Sequence, residues 1–336
     1  MVDYEVFELG TVELQSGEVL PNARLAYATY GQLNAERSNV IIFPTYYTGT
    51  HRSNAAMIGA GRAFDPDRYF VIVPNLFGNG VSSSPSNTPP PFGGADFPKI
   101  TLYDNVRCQH RLVTERFGIE AIALVAGWSM GAQQAYHWAA MYPDQVARIV
   151  PWCGSAKISV HNWVFLEGVK AALTADQDWQ NGRYQTPPQN GLRAFGRVYA
   201  GWAYSQSFFR QGLYQALGFE SAAALLDWWE ADHLTWDAND LLAMLWSWQR
   251  ADISDNPMYQ GDFERALRSI QAKAIVMPSA TDLYFPPEDS QIEVNAMPNA
   301  ELRVIPSIWG HCAGGPNRNP ADMAYIEAAL SELLAQ

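Results

Sequence analysis

Hydrophobic and polar positions alternate at the start of the chain and then give way to unbroken apolar runs. Tyr4 to Glu8, Thr11 to Leu14 and Ala23 to Tyr30 read as antiparallel strands, with a turn at Ser16-Gly17 and an end at Gly31. Asn39 to Phe43, Tyr69 to Pro74, Ala121 to Ala126, Ala147 to Trp152, Ala274 to Pro278 and Glu301 to Pro306 are short and largely apolar, the pattern of buried parallel strands. Helical segments fall between them. Leu102 to Phe117 has helical periodicity and stops at Gly118, and Ala132 to Ala140 is rich in good helix formers. Pro286-Pro287-Glu288 opens a further helix, and a last one runs from about Ala321 to the end. Strands alternating with helices predict an α/β fold with a mostly parallel sheet covered on both faces.

Between residues 157 and 265 the strand-like runs vanish. Helical segments rich in Ala, Leu, Gln and Trp replace them, and eight of the twelve tryptophans lie there. Most of these indoles fill a helical core. An insertion of helices between two sheet strands is also how such folds cover a catalytic edge, with inner aromatics lining a dry pocket. The expected division is a core of residues 1–156 and 266–336 and a helical lid of residues 157–265.

Composition narrows the class. At 336 residues, 48% of them hydrophobic, the chain has ample material for one large α/β unit with an insertion. Twenty-two basic against 34 acidic residues give a net charge of -12, which argues against a nucleic-acid partner and favours a small neutral ligand. Cys108, Cys153 and Cys312 have neither metal-like nor disulfide-like spacing. The acidic start Met1-Val2-Asp3-Tyr4-Glu5 lacks the features of a secretion signal, and no apolar run has the length of a membrane span. A cytoplasmic protein is the expectation, with no membrane partner.

Chemistry enters at Gly127-Trp128-Ser129-Met130-Gly131. A G-x-S-x-G between a buried strand and a helix is a nucleophile elbow, in which a tight turn lifts the serine hydroxyl above the sheet. Side chains at 127 and 131 would collide as strand and helix close on each other. Serine at neutral pH needs a base, and the base an orienting acid. In α/β-hydrolase folds these follow in the order Ser, Asp/Glu, His, each past a later strand. Asp282 and His311 satisfy that order. His110 and His137 lie in predicted helices, His161 and His233 in the lid, and His51 precedes the serine. Asp237, Asp240 and Asp252 belong to the lid, where no sheet strand presents them. The N–H of Met130 and, from the loop Pro44 to Gly49, that of Tyr47 are the candidate oxyanion donors.

These residues resemble the homoserine O-acetyltransferase family of α/β-hydrolases from about residue 10 to the C-terminus. The elbow with Gln133-Gln134-Ala135, Thr48-Gly49, Asp282-Leu283-Tyr284-Phe285-Pro286-Pro287 and Gly310-His311 match its motifs. In the lid, Arg197 and Tyr204 stand where the family has an arginine and a tyrosine near the substrate, and Trp236-Asp237-Ala238-Asn239-Asp240 matches a further stretch. Two positions depart. The family's acetyltransferases carry an aspartate after the triad histidine, to meet the substrate ammonium, where this chain has Cys312; their Gly-Ser-Thr-Gly-Pro-like stretch is replaced by Gly80-Val81-Ser82-Ser83-Ser84-Pro85. Losing a charge-assisted contact to a buried ammonium costs a few kcal/mol. The chain is therefore more similar to the family's subgroup that hydrolyses short esters.

The resemblance implies a serine esterase for acetate esters, without a cofactor or metal, and a homodimer through the lid. Acetyl transfer from acetyl-CoA to homoserine or another hydroxyl acceptor is the alternative, motivated by Arg197 and Tyr204. A binding protein on a hydrolase scaffold would not need Ser129, Asp282 and His311 together.

Overall fold

The structure is a computed structural model that describes residues 3–316 and 318–336. Its single sheet has eight strands: β1 (Glu5–Glu13), β2 (Val19–Tyr30), β3 (Val40–Ile42), β4 (Phe70–Pro74), β5 (Leu124–Trp128), β6 (Arg148–Trp152), β7 (Lys273–Val276) and β8 (Ala300–Leu302). Their spatial order is β1-β2-β4-β3-β5-β6-β7-β8, antiparallel at β1/β2 and β2/β4 and parallel beyond. The separate strands expected at Tyr4 to Glu8 and Thr11 to Leu14 are one. Gly10, at φ +68°, shifts the register against β2 on both its sides, so the break in the alternation is a bulge rather than an end.

The central strands are apolar on both faces because both faces are covered. Ile41, Val71, Val73, Leu124, Ala126, Val150 and Ile275 point into one hydrophobic core. Their neighbours Val40, Ile42, Ile72, Val125, Ile149, Ala274 and Val276 point into the other. The short helix α1 (His51–Ala55) precedes β4, and α2 (Leu102–Arg111) and α3 (Met130–Met141) flank β5. From β6 to β7 every element is helical: α4 (Val160–Thr174), α5 (Gln189–Ala203), α6 (Gln206–Arg210), α7 (Ala222–His233), α8 (Ala238–Trp248) and α9 (Phe263–Ser269), with short 3-10 turns between. Then α10 (Pro287–Ala296) joins β7 to β8, and α11 (Pro320–Leu334) ends the chain. No helix among the described residues is long and apolar enough to cross a membrane.

Glu293 on α10 marks where the chain leaves the sheet for this helical segment. Its Oε1 accepts the Ala156 N–H at 2.7 Å, and burial pushes its carboxyl up from 4.5 to about 8. An acid raised in the fold binds its proton more tightly there than in the unfolded chain, so its contribution weakens as pH climbs from about 4.5 to about 8. Glu293→Gln keeps the acceptor and removes the titration. Melts of both proteins at pH 5 and pH 9 should show a smaller loss of Tm for the variant; equal losses would refute the assignment.

Candidate active site

Ser129 stands between the end of β5 and the start of α3, at φ 57° and ψ -123°. That backbone is sparsely populated for a residue with a side chain and is held by its surroundings. Its N–H donates to the Trp152 carbonyl at 3.1 Å, and its carbonyl accepts from Gln133 at 3.0 Å. The glycines on either side allow the turn. A Cβ on Gly127 would lie 2.5 Å from the Gly131 carbonyl carbon, and one on Gly131 would lie 2.8 Å from the Pro44 oxygen.

The loops after β7 and β8 bring in the partners. Asp282 Oδ1 accepts the N–H groups of Tyr284 (2.8 Å) and Phe285 (3.2 Å), which fixes the carboxylate and leaves Oδ2 for the His311 Nδ1 at 2.8 Å. His311 Nε2 lies 3.0 Å from Ser129 Oγ. All three are buried, and aromatic rings hold the imidazole. Trp128 stacks on it at 5.1 Å and Tyr284 meets it edge-on at 4.6 Å. Gly310, at φ +65°, permits the close approach to the Ala203-Tyr204-Ser205 backbone, and its N–H donates to Thr281 Oγ1 at 3.1 Å.

The loop after β3 is tied down separately. Asn54 Nδ2 donates to the carbonyls of Phe43 (3.0 Å) and Pro44 (3.2 Å), and Gln134 Nε2 donates to the Thr45 carbonyl at 2.9 Å. Among the described residues, neither the Tyr47 N–H nor the Met130 N–H donates to any protein group. The Tyr47 ring turns away under the helices, stacking on Tyr199 at 5.8 Å, with its hydroxyl 3.3 Å from the Leu241 carbonyl.

A cavity of about 220 Å³ opens over Ser129 and His311. Tyr46, Tyr47 and Thr48 form one wall, Tyr199, Trp228, Trp229 and Asp232 another, and Cys312 and Arg318 a third. Burial pushes the Cys312 thiol up to about 11, so it is neutral at pH 7 and offers no charge to an ammonium. Tyr204 is buried behind this lining, stacked on Phe208 at 4.2 Å. Arg197 lies outside the cavity, where it pairs with Glu230 and, at 3.4 Å, with Asp227. His51 is also outside. Its Nδ1 and Nε2 face Asn75 and Asp3.

Other singled-out stretches have structural work. Asp237 caps α8 and accepts the Tyr184 hydroxyl at 2.7 Å. Asp240 accepts both the N–H and the hydroxyl of Ser86, at 2.9 and 2.6 Å, and burial raises its carboxyl to about 7. The run from Ser82 to Gly94, which reads as an exposed loop at the site mouth, contributes nothing to the lining of the Ser129 cavity. Its first three serines are buried, Ser82 Oγ accepting the Ala26 N–H and donating to the Asn75 carbonyl, because the turn is stitched onto β2, whereas Ser86, Asn87 and Pro89 to Phe92 are exposed. Asp232 and Arg318 escaped sequence reasoning. They belong to no catalytic motif, and only the fold brings α7 beside the loop that follows His311.

Comparison with known proteins agrees with this architecture. The family description alpha/beta hydrolase fold matches residues 39–315. An ethyl acetate hydrolase of Pseudomonas veronii is 41% identical over 99% of this chain and 95% of its own length. A homoserine O-acetyltransferase of Nostoc punctiforme is 32% identical over 96% of this chain and 92% of its own. Among solved structures, an acetylester hydrolase from Corynebacterium glutamicum superposes with a TM-score of 0.96 at 38% identity, covering 99% of this chain and 96% of that one.

Proposed function

Because this chain belongs to the alpha/beta hydrolase family, in the branch shared by ethyl acetate hydrolase and the homoserine O-acetyltransferases, we propose that it hydrolyses short-chain acetate esters through an acyl-enzyme on Ser129. The observation that carries the reading is the continuous chain Ser129–His311–Asp282, at 3.0 and 2.8 Å, on the floor of a small cavity. His311 Nε2 takes the Ser129 proton as Oγ attacks the acyl carbon. Asp282 keeps the other imidazole proton on Nδ1 and stabilises the charged ring. The free N–H groups of Tyr47 and Met130 receive the oxyanion. The alcohol leaves with the proton from His311, and water, deprotonated by the same histidine, releases acetate.

In this reading the segment 157–265 is a lid on the core of residues 1–156 and 266–336, and the chain is cytoplasmic and dimeric. Val160, Trp163 and Val164, exposed on α4, support pairing through the lid.

Acetyl transfer to homoserine is the second reading, favoured by the retained Arg197 and Tyr204 but weakened where Arg197 is engaged by Glu230 and Cys312 is uncharged. Release of free CoA from acetyl-CoA, measured with and without homoserine, separates the two. Dependence on homoserine would overturn the esterase reading. Ethyl acetate and p-nitrophenyl acetate should both be cleaved. Across p-nitrophenyl acetate, butyrate and octanoate, kcat/KM should fall about tenfold or more at each step, since added methylenes must fit a cavity of about 220 Å³. A flat profile would contradict a small acyl site.

A further inference from the structure

The cavity above Ser129 holds two charged groups that the triad does not use. Arg318 reaches it from the loop after His311, and Asp232 from the last turn of α7. Arg318 is partly buried and makes no ion pair or side-chain hydrogen bond among the described residues; its guanidinium lies over Trp228, 5.0 Å from the ring centroid. The Asp232 side chain, 39% exposed, accepts no hydrogen bond either. The nearest cation candidate, His233 Nδ1 at 3.5 Å, already faces the Trp229 carbonyl at 2.9 Å, and no donor among the described residues reaches the carboxylate. Burial raises the Asp232 carboxyl, while the neighbouring His233 and, after it, Arg318 lower it.

A donor-only group and an acceptor-only group face one space without closing on each other. Purely apolar esters would leave both desolvated and unpaired when they displace water. A second anion would satisfy Arg318 but meet the Asp232 carboxylate in a protein of net charge -12. A hydroxyl suits both, since it accepts from a guanidinium and donates to a carboxylate. We propose that Arg318 and Asp232 determine specificity for esters whose alcohol part bears a further hydroxyl, the acetate monoesters of diols and other polyols. This rests on the esterase reading and names the alcohol that reading leaves open.

The test compares 2-hydroxyethyl acetate with n-propyl acetate, which differ by one hydroxyl in place of a methyl, and adds 3-acetoxypropanoate as an anionic probe. The ratio of kcat/KM for the hydroxyl ester to that for the propyl ester should be about tenfold to a hundredfold. Arg318→Met and Asp232→Asn should each bring the ratio toward one. Because each ratio is taken within one protein, a smaller folded fraction cannot imitate the effect. A wild-type ratio of one or less overturns the inference and leaves the esterase reading standing. So does faster cleavage of 3-acetoxypropanoate that depends on Arg318 alone, which would mark an anion site. If none of the three esters is cleaved while Ser129 is intact, the esterase reading falls and takes this inference with it.

Discussion

Ser129→Ala should lose about four to six orders of magnitude in kcat on p-nitrophenyl acetate while keeping the wild-type fold. The loss is large because nothing else in the cavity can replace the hydroxyl. The Cys312 thiol that also lines it is held protonated by burial, and neither it nor the Thr48 and Ser53 hydroxyls there is hydrogen-bonded to His311. The fold should survive because the Ser129 backbone, not its side chain, carries the local structure through its bonds to Trp152 and Gln133. Alanine inherits the strained φ of 57°, whereas glycine does not. Ser129→Gly should therefore be as inactive as the alanine variant yet melt at or above it. Assays beside thermal melts decide both points. Activity within tenfold of wild type in folded Ser129→Ala would remove Ser129 from the mechanism.

The residues that sequence reasoning read most directly are those whose placement is written in local geometry. Gly127 had to be small because strand and helix close on each other there, an added Cβ falling 2.5 Å from the Gly131 carbonyl carbon; Gly131 is small for a different reason, since its added Cβ would fall 2.8 Å from the Pro44 oxygen in the loop after β3. Asp282 and His311 were legible because their loops leave adjacent parallel strands, β7 and β8, at the same sheet edge as the elbow. Apolar runs in the central strands marked burial on both faces. What stayed hidden depends on how remote segments meet. Gly10 disguised one bulged strand as two, since a bulge and a strand end both interrupt the alternation. Arg197 stands at a position matching a substrate contact, but Glu230 on α7 draws it outward. Asp232 and Arg318 are 86 residues apart in the chain and line one cavity only because α7 folds back over the loop after His311.

The same contrast decides what Asp282→Asn will do. The Asp282 side chain has two separate tasks, one per oxygen: Oδ1 holds the N–H groups of Tyr284 and Phe285, and Oδ2 holds His311 Nδ1. Asparagine can perform only the first. Its amide oxygen must stay on the two backbone donors, because an NH₂ there would face N–H groups. The NH₂ then points at Nδ1, which must become an acceptor, and the imidazole proton moves to Nε2. An Nε2–H beside Ser129 Oγ can donate to the serine but cannot take its proton. The expected result is a fall in kcat of about 10⁴ with little change in KM or Tm. Asp282→Ala should differ, since it also leaves two backbone N–H groups unpaired in a buried loop and costs about 1–3 kcal/mol of stability besides. A folded Asp282→Asn protein with near-wild-type kcat would mean that this carboxylate does not set the tautomer of His311, and the base would have to be oriented by the aromatic rings of Trp128 and Tyr284 alone.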